Sequence, residues 1–162
     1  MTTIDRIEVR IGTQQLHAFA DDGAVAVYPV STARNGPGEL RDSECTPRGR
    51  HVIAEKIGAG CPPGTVFVAR RPTGEIHDAE LAARNPGRDW ILTRILWLAG
   101  LEEGVNLGGD RDTRSRYIYI HGTPDDTALG HPGSRGCIRM RNADIVELFE
   151  RVAEGTVVVI EA

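Results

Sequence analysis

The stretch Ile120-His-Gly-Thr-Pro-Asp-Asp-Thr-Ala-Leu-Gly-His-Pro-Gly-Ser-Arg-Gly-Cys-Ile-Arg-Met140 joins a strand signal to a reactive side chain. Arg116-Tyr-Ile-Tyr-Ile120 is rich in aromatic and β-branched residues and predicts a strand that ends at His121-Gly122. Cys137 follows His121 by sixteen residues and lies among Arg135, Arg139 and Arg141. A cysteine nucleophile needs a base to take its proton, and histidine has the pKa for that near neutrality. Gly136 permits a tight turn that would aim the amides of Gly136 and Cys137 at one point, as an oxyanion hole does. Positive charge favours a thiolate and also binds anionic substrates. On spacing alone, a bland reading stays open: Cys137 as a small buried hydrophobe and His121 as a satisfied strand end.

Working outward, strand signals dominate. Ile7, Val9 and Ile11 alternate with charged residues, the period of a half-buried strand. Gln15–Ala20 and Ala24–Val30 flank an Asp21-Asp22-Gly23 turn and predict a hairpin. Segment 31–50 is rich in Gly, Pro, Asn and Arg and reads as a long loop, a length that in compact domains is usually functional or disordered. His51–Ile57 and Thr65–Arg70 are further strands, separated by the Gly60–Gly64 breaker. Ile76–Arg84 reads as a short helix, Trp90–Leu98 as a buried strand or short helix, and Leu101–Ser115 as a loop. One helix is clear: Asn142 is placed to cap it, Gly155 to end it, and Ile145, Leu148, Phe149 and Val152 form one apolar stripe. Thr156–Ile160 closes the chain as a strand. The whole reads as one mainly β domain over residues 1–162, without repeat or linker.

Composition supports a globular chain. It has 162 residues, 40% hydrophobic and 26% charged, which excludes a disordered chain, a collagen or a coiled coil. The net charge of −4 gives no global attraction for nucleic acid, although every basic residue except Lys56 is an arginine. Three cysteines, Cys45, Cys61 and Cys137, with no CxxC spacing, argue against a disulfide framework and a four-thiolate zinc site; a Cys45–Cys61 bridge stays open. His121, His131 and Cys137 match no zinc spacing either, so neither metal nor cofactor is expected. No run of ~18 apolar residues predicts a membrane span, and the charged start after Met1 carries no export signal.

His121-Gly122-Thr123, Leu129-Gly130 and Ser134-Arg-Gly-Cys-Ile-Arg-Met140 together resemble the signature of the L,D-transpeptidase catalytic domain, the YkuD family. The resemblance continues through Gln15–Phe19, Tyr28–Thr32 and Thr46-Pro-Arg-Gly49 upstream. Downstream it runs through Asp144, Leu148, Val152 and Gly155–Ile160, and it is loose only over Pro72–Ser115. It implies a β-sandwich-like domain with its cysteine in a groove. The implied substrate is the peptidoglycan stem tetrapeptide, cut between its third residue, often diaminopimelate, and D-Ala. Carried over, Cys137 would be the nucleophile, His121 the base, and the Gly122 carbonyl the group that orients the imidazole. Gly136 and Cys137 would supply the oxyanion hole. Arg139, with Ser134, Arg135 and Thr123, would contact substrate or brace the loop. Many members carry histidine where this chain has Arg135, so any role of that second histidine is absent; His131 lies too early to replace it and reads as a loop residue.

The motif does not distinguish a transpeptidase, whose thioester is resolved by an amine, from an L,D-carboxypeptidase, whose thioester is resolved by water. The absence of an export signal favours a cytoplasmic enzyme that releases D-Ala from soluble muropeptides during recycling; a removed leader would place it in the periplasm. A module that binds peptidoglycan peptides without chemistry is the remaining alternative, and retention of both His121 and Cys137 argues against it.

Overall fold

Among the described residues there are ten strands and two α-helices, and segments 71–76 and 138–141 are strands that the sequence reading does not predict. The structure, a computed structural model, describes residues 2–21 and 23–162. Met1, and Asp22 of the expected turn, lie outside the described residues. Strands β1 (Arg6–Arg10), β2 (Gln15–Ala20) and β3 (Gly23–Ser31) form an antiparallel meander. The other strands are β4 (Gly49–Ile57), β5 (Thr65–Val68), β6 (Arg71–Ile76), β7 (Leu92–Gly100), β8 (Tyr119–Thr123), β9 (Ile138–Arg141) and β10 (Val157–Glu161). Helices α1 (Ala79–Arg84) and α2 (Asn142–Arg151) complete the set.

The sheet order is β4-β10-β1-β2-β3-β9-β8-β7-β5-β6, and β4 also pairs with β7. That extra pairing closes eight strands into a ring around the main core, with two smaller apolar clusters beside it, around Val66, Leu81 and Leu92 and around Phe67, Ile95 and Tyr119. Alternation along the strands sends Ile7, Val9, Leu16, Val30, Ile120, Ile138, Met140 and Ile160 inward. Helix α2 adds Ile145, Leu148, Phe149 and, just past its end, Val152 to the same cluster, as the apolar stripe predicts. No helix among the described residues is long and apolar enough to cross a membrane.

Several boundaries differ from the sequence reading. The strand expected over 116–120 begins at Tyr119 and runs through Thr123, because Tyr117 adopts φ +56° in a turn. His121 therefore stands mid-strand, not at a strand end. Of the segment expected as strand or helix over 90–98, the part from Leu92 is strand β7, which runs on to Gly100, and Ile76 belongs to β6. Helix α1 starts only where Asp78 accepts a hydrogen bond from Leu81 N at 2.7 Å. Asn142 does not cap α2: it is the first helical residue, and Arg141 precedes it without a side-chain cap. Gly155 does not end the helix, which stops at Arg151; Gly155 adopts φ +93° in the turn beyond and donates its amide to Ile53 O. Cys45, Cys61 and Cys137 are all free thiols.

Candidate active site

Strand register brings the key residues to one face. Strands β8 and β9 are parallel, with Ile120 opposite Ile138 and His121 opposite Arg139. Ile120, Ile138 and Met140 point into the core, so Tyr119, His121 and Arg139 point the other way. Cys137, one step before β9, shares the face of Arg139 and is a diagonal neighbour of His121. All four residues line one open cavity of about 480 Å³, with Ser134 and Arg135 at its edge.

The turn that presents the thiol is held from several sides. Gly136 adopts φ +131°, and a Cβ there would lie 3.2 Å from both Cys45 O and Ile118 Cδ1. Thr46 Oγ1 donates to Gly136 O at 2.8 Å, and Arg116 Nη2 donates to Cys45 O at 2.7 Å. The long 31–50 loop is thus the floor of the turn. Buried Ser134 accepts from Gly136 N at 3.1 Å and donates to Cys137 O at 2.5 Å. That bond corrects the expected oxyanion pair, because the Gly136 amide already has an acceptor. Among the described residues the Cys137 amide donates to no protein acceptor.

The thiol accepts from Tyr119 N at 3.3 Å and donates to Tyr117 O at 3.4 Å. Burial pushes its pKa up to about 12, Asp89 adds to the rise, and the Tyr119 amide, Arg139 and Arg116 pull against it. His121 is 2% exposed, and burial holds its pKa below the usual histidine value, outweighing the Gly122 hydrogen bond and Asp89. Its Nδ1 lies 2.6 Å from Gly122 O. A carbonyl only accepts, so Nδ1 carries a proton, and in the neutral imidazole the free lone pair then lies on Nε2. Burial thus favours the uncharged form of both the thiol and the imidazole.

The other expected site residues separate. Arg139 Nη2 binds Asp89 Oδ1 at 3.0 Å, and its Nη1 donates to Gly133 O at 3.2 Å. Arg135 is exposed at the cavity edge. Thr123 does not reach the cavity: it is 2% exposed, with Oγ1 turned to Thr127. Arg141 faces Asp144 at 3.9 Å, away from the thiol. His131 is an exposed loop residue whose carbonyl accepts from Ser31 Oγ.

Several lining residues escaped the sequence reading. Tyr119 could have been found from its i−2 spacing to His121. Asp89, Ile91 and Arg70 come from segments without a motif. Arg70 stands in the β5–β6 turn, where Ala69 and Arg70 have φ +49° and +64°. Its guanidinium stacks 4.7 Å from the Tyr117 ring and donates to Tyr119 Oη at 2.9 Å, forming one wall.

The YkuD family model, described as the L,D-transpeptidase catalytic domain, matches residues 4–160. The chain belongs to this L,D-transpeptidase family. The YkuD protein of Bacillus licheniformis is 51% identical over 151 residues, 93% of this chain and 62% of its own length. The YqjB protein of Bacillus subtilis is 28% identical over 148 residues, 91% of this chain and 66% of its own. The chain thus spans just under two thirds of these relatives. The L,D-transpeptidase of Enterococcus faecium shares the fold, with a TM-score of 0.59 at 14% identity over 99% of this chain and 50% of that one.

Proposed function

We propose that this L,D-transpeptidase domain cleaves the diaminopimelate–D-Ala bond of peptidoglycan stem tetrapeptides through a thioester on Cys137. The observation that supports it is that the Cys137 thiol and the His121 imidazole, whose Nδ1 is held by Gly122 O, line the same cavity. Cys137 Sγ attacks the peptide carbonyl carbon while its proton passes to His121 Nε2. The Cys137 amide receives the oxyanion. On collapse the C–N bond breaks, and His121 returns the proton to the leaving amine of D-Ala. Because both groups start neutral, proton transfer accompanies attack and no thiolate is stored.

We assign water as the second nucleophile, which makes the enzyme an L,D-carboxypeptidase. Arg70, Arg135 and Arg139 line the cavity against a single carboxylate, Asp89. An amine acceptor arrives as an ammonium and meets that positive field, whereas water does not. Water attacks the thioester carbonyl, His121 takes its proton, and the proton returns to the Cys137 sulfur as the tripeptide leaves. Recycling of soluble muropeptides in the cytoplasm is the physiological form of this reading, and recovery of the protein from the periplasm would remove it.

Product analysis tests the assignment. Incubation with L-Ala-γ-D-Glu-diaminopimelate-D-Ala should give tripeptide and free D-Ala, and none with Cys137→Ala. Cross-linked dimers or exchanged D-amino acids would make the amine the acceptor. Peptide binding that survives Cys137→Ala, with no product from the unsubstituted protein, would leave a binding module.

A further inference from the structure

Thr93 stands in a conformation that threonine rarely takes. Its φ is +77°, in the left-handed region where a β-branched side chain clashes with its own backbone. It is fully buried, within the β7 bulge between Leu92 and Ile95, opposite Gly122 and His121 of β8. A strained residue persists only where its neighbours fix it from several sides. Thr93 Oγ1 donates to Asn142 Oδ1 at 2.5 Å and accepts from Gly64 N at 3.0 Å. Its carbonyl accepts from the buried Arg94, Nη1 to O, at 2.6 Å.

Asn142 completes the lock. Its Nδ2 donates to Thr123 O at 2.9 Å and to Asp125 Oδ1 at 3.1 Å. The side chain that sequence spacing places as a helix cap is turned instead onto strands β7 and β8. Gly122 lies between these groups: a Cβ there would collide with Asn142 Oδ1 and the Leu92 carbonyl and press on Thr93 Cβ. The carbonyl of this wedged glycine is the acceptor of His121 Nδ1–H.

We propose that Asn142 is a positioning residue that, with Thr93, fixes the Gly122 carbonyl and through it the tautomer and aim of the His121 imidazole. The catalytic meaning rests on His121 as the base, but the principal readout does not. In nitrogen-15 NMR of the full chain, His121 should show one tautomer, with its Nδ1 proton in slow exchange. Asn142→Ala should give mixed tautomers and fast exchange of that proton. Its kcat on the tetrapeptide should fall about 10²-fold with KM nearly unchanged, the loss expected from a small misplacement of a reacting group. Thr93→Val, which removes the hydroxyl, should reproduce the effect, and Thr93→Ser should restore both tautomer and rate. If Asn142→Ala does not fold, Asn142→Asp keeps the acceptor for Thr93, loses both N–H donors, and should show the same mixed tautomers. A variant that is merely less stable, with the single tautomer and kcat retained, would overturn the proposal. Cleavage by Cys137→Ala would instead overturn the proposed function and leave the tautomer result to decide the role of Asn142.

Discussion

Arg139 and Asp89 are bound across the cavity that holds the thiol, Nη2 to Oδ1 at 3.0 Å. The arginine that the motif offers to a substrate carboxylate is therefore already occupied by a carboxylate from the segment with the weakest family signal. A partly exposed pair of this kind contributes at most ~1 kcal/mol to stability, so a substrate carboxylate displaces Asp89 at little cost. Arg139→Ala should raise KM for the tetrapeptide about tenfold, and Asp89→Asn should lower it by freeing the guanidinium. Steady-state kinetics of the two variants checks this. An unchanged KM in both would make the pair structural only.

A neutral resting pair has a signature in alkylation. A thiol pushed up to about 12 by burial is almost wholly protonated at pH 7.5. Iodoacetamide should modify Cys137 more slowly than a free cysteine, whose ordinary pKa is ~8.5, and the rate should keep climbing above pH 9. A fast rate that plateaus near pH 6 would indicate a stored thiolate–imidazolium pair and contradict this electrostatic account.

Acid should destabilise the fold through its buried histidines. His51 is fully buried, with Nδ1 on Gly49 O at 3.0 Å and Nε2 on Thr113 Oγ1 at 2.9 Å, and burial holds its pKa at about 4. The unfolded chain, with an ordinary value near ~6.5, binds the proton more readily. Stability from this group is complete above about pH 6.5 and is lost as pH falls towards 4, by up to ~3 kcal/mol. His121 shifts in the same direction. Thermal melts should show Tm falling across that window, with a shallower fall in His51→Gln. A Tm flat from pH 7 to 4 would be inconsistent with a buried neutral His51.

Gly136→Ala probes the turn that aims the sulfur. The new methyl meets the Cys45 carbonyl and Ile118, and the residue must hold φ +131° without glycine's freedom. The expected cost is ~1–3 kcal/mol in stability, with a loss of activity larger than the lowered Tm explains. Denaturant unfolding and kinetics on one preparation separate the two effects. Full activity would show that the turn tolerates a side chain and does not set the thiol's aim.

Period-2 alternation and glycine breaks made most strands legible, and the α2 stripe made that helix legible, because burial on one face writes itself into residue order. His121 and Cys137 were legible as a motif. Their shared face was not, since it follows from the parallel register of β8 and β9, which no local pattern encodes. Asn142 reads as a helix cap because its partners, Thr93, Thr123 and Asp125, are seventeen or more residues away. Asp89 and Arg70 were invisible for a similar reason: they reach the cavity from the hairpin and loop packed beside β7. The turn at Gly136 is legible from the glycine, whereas the bond from its amide to Ser134 Oγ depends on how the folded loop turns that side chain.

Intact-protein mass spectrometry during turnover tests the central claim most directly. The tetrapeptide, mixed with the protein and quenched in acid, should leave an adduct with the mass of the tripeptide less one water, mapped to Cys137 and absent from Cys137→Ala. D-Ala release without any adduct, or an adduct on Cys45 or Cys61, would contradict the assignment of Cys137 as the acylated nucleophile.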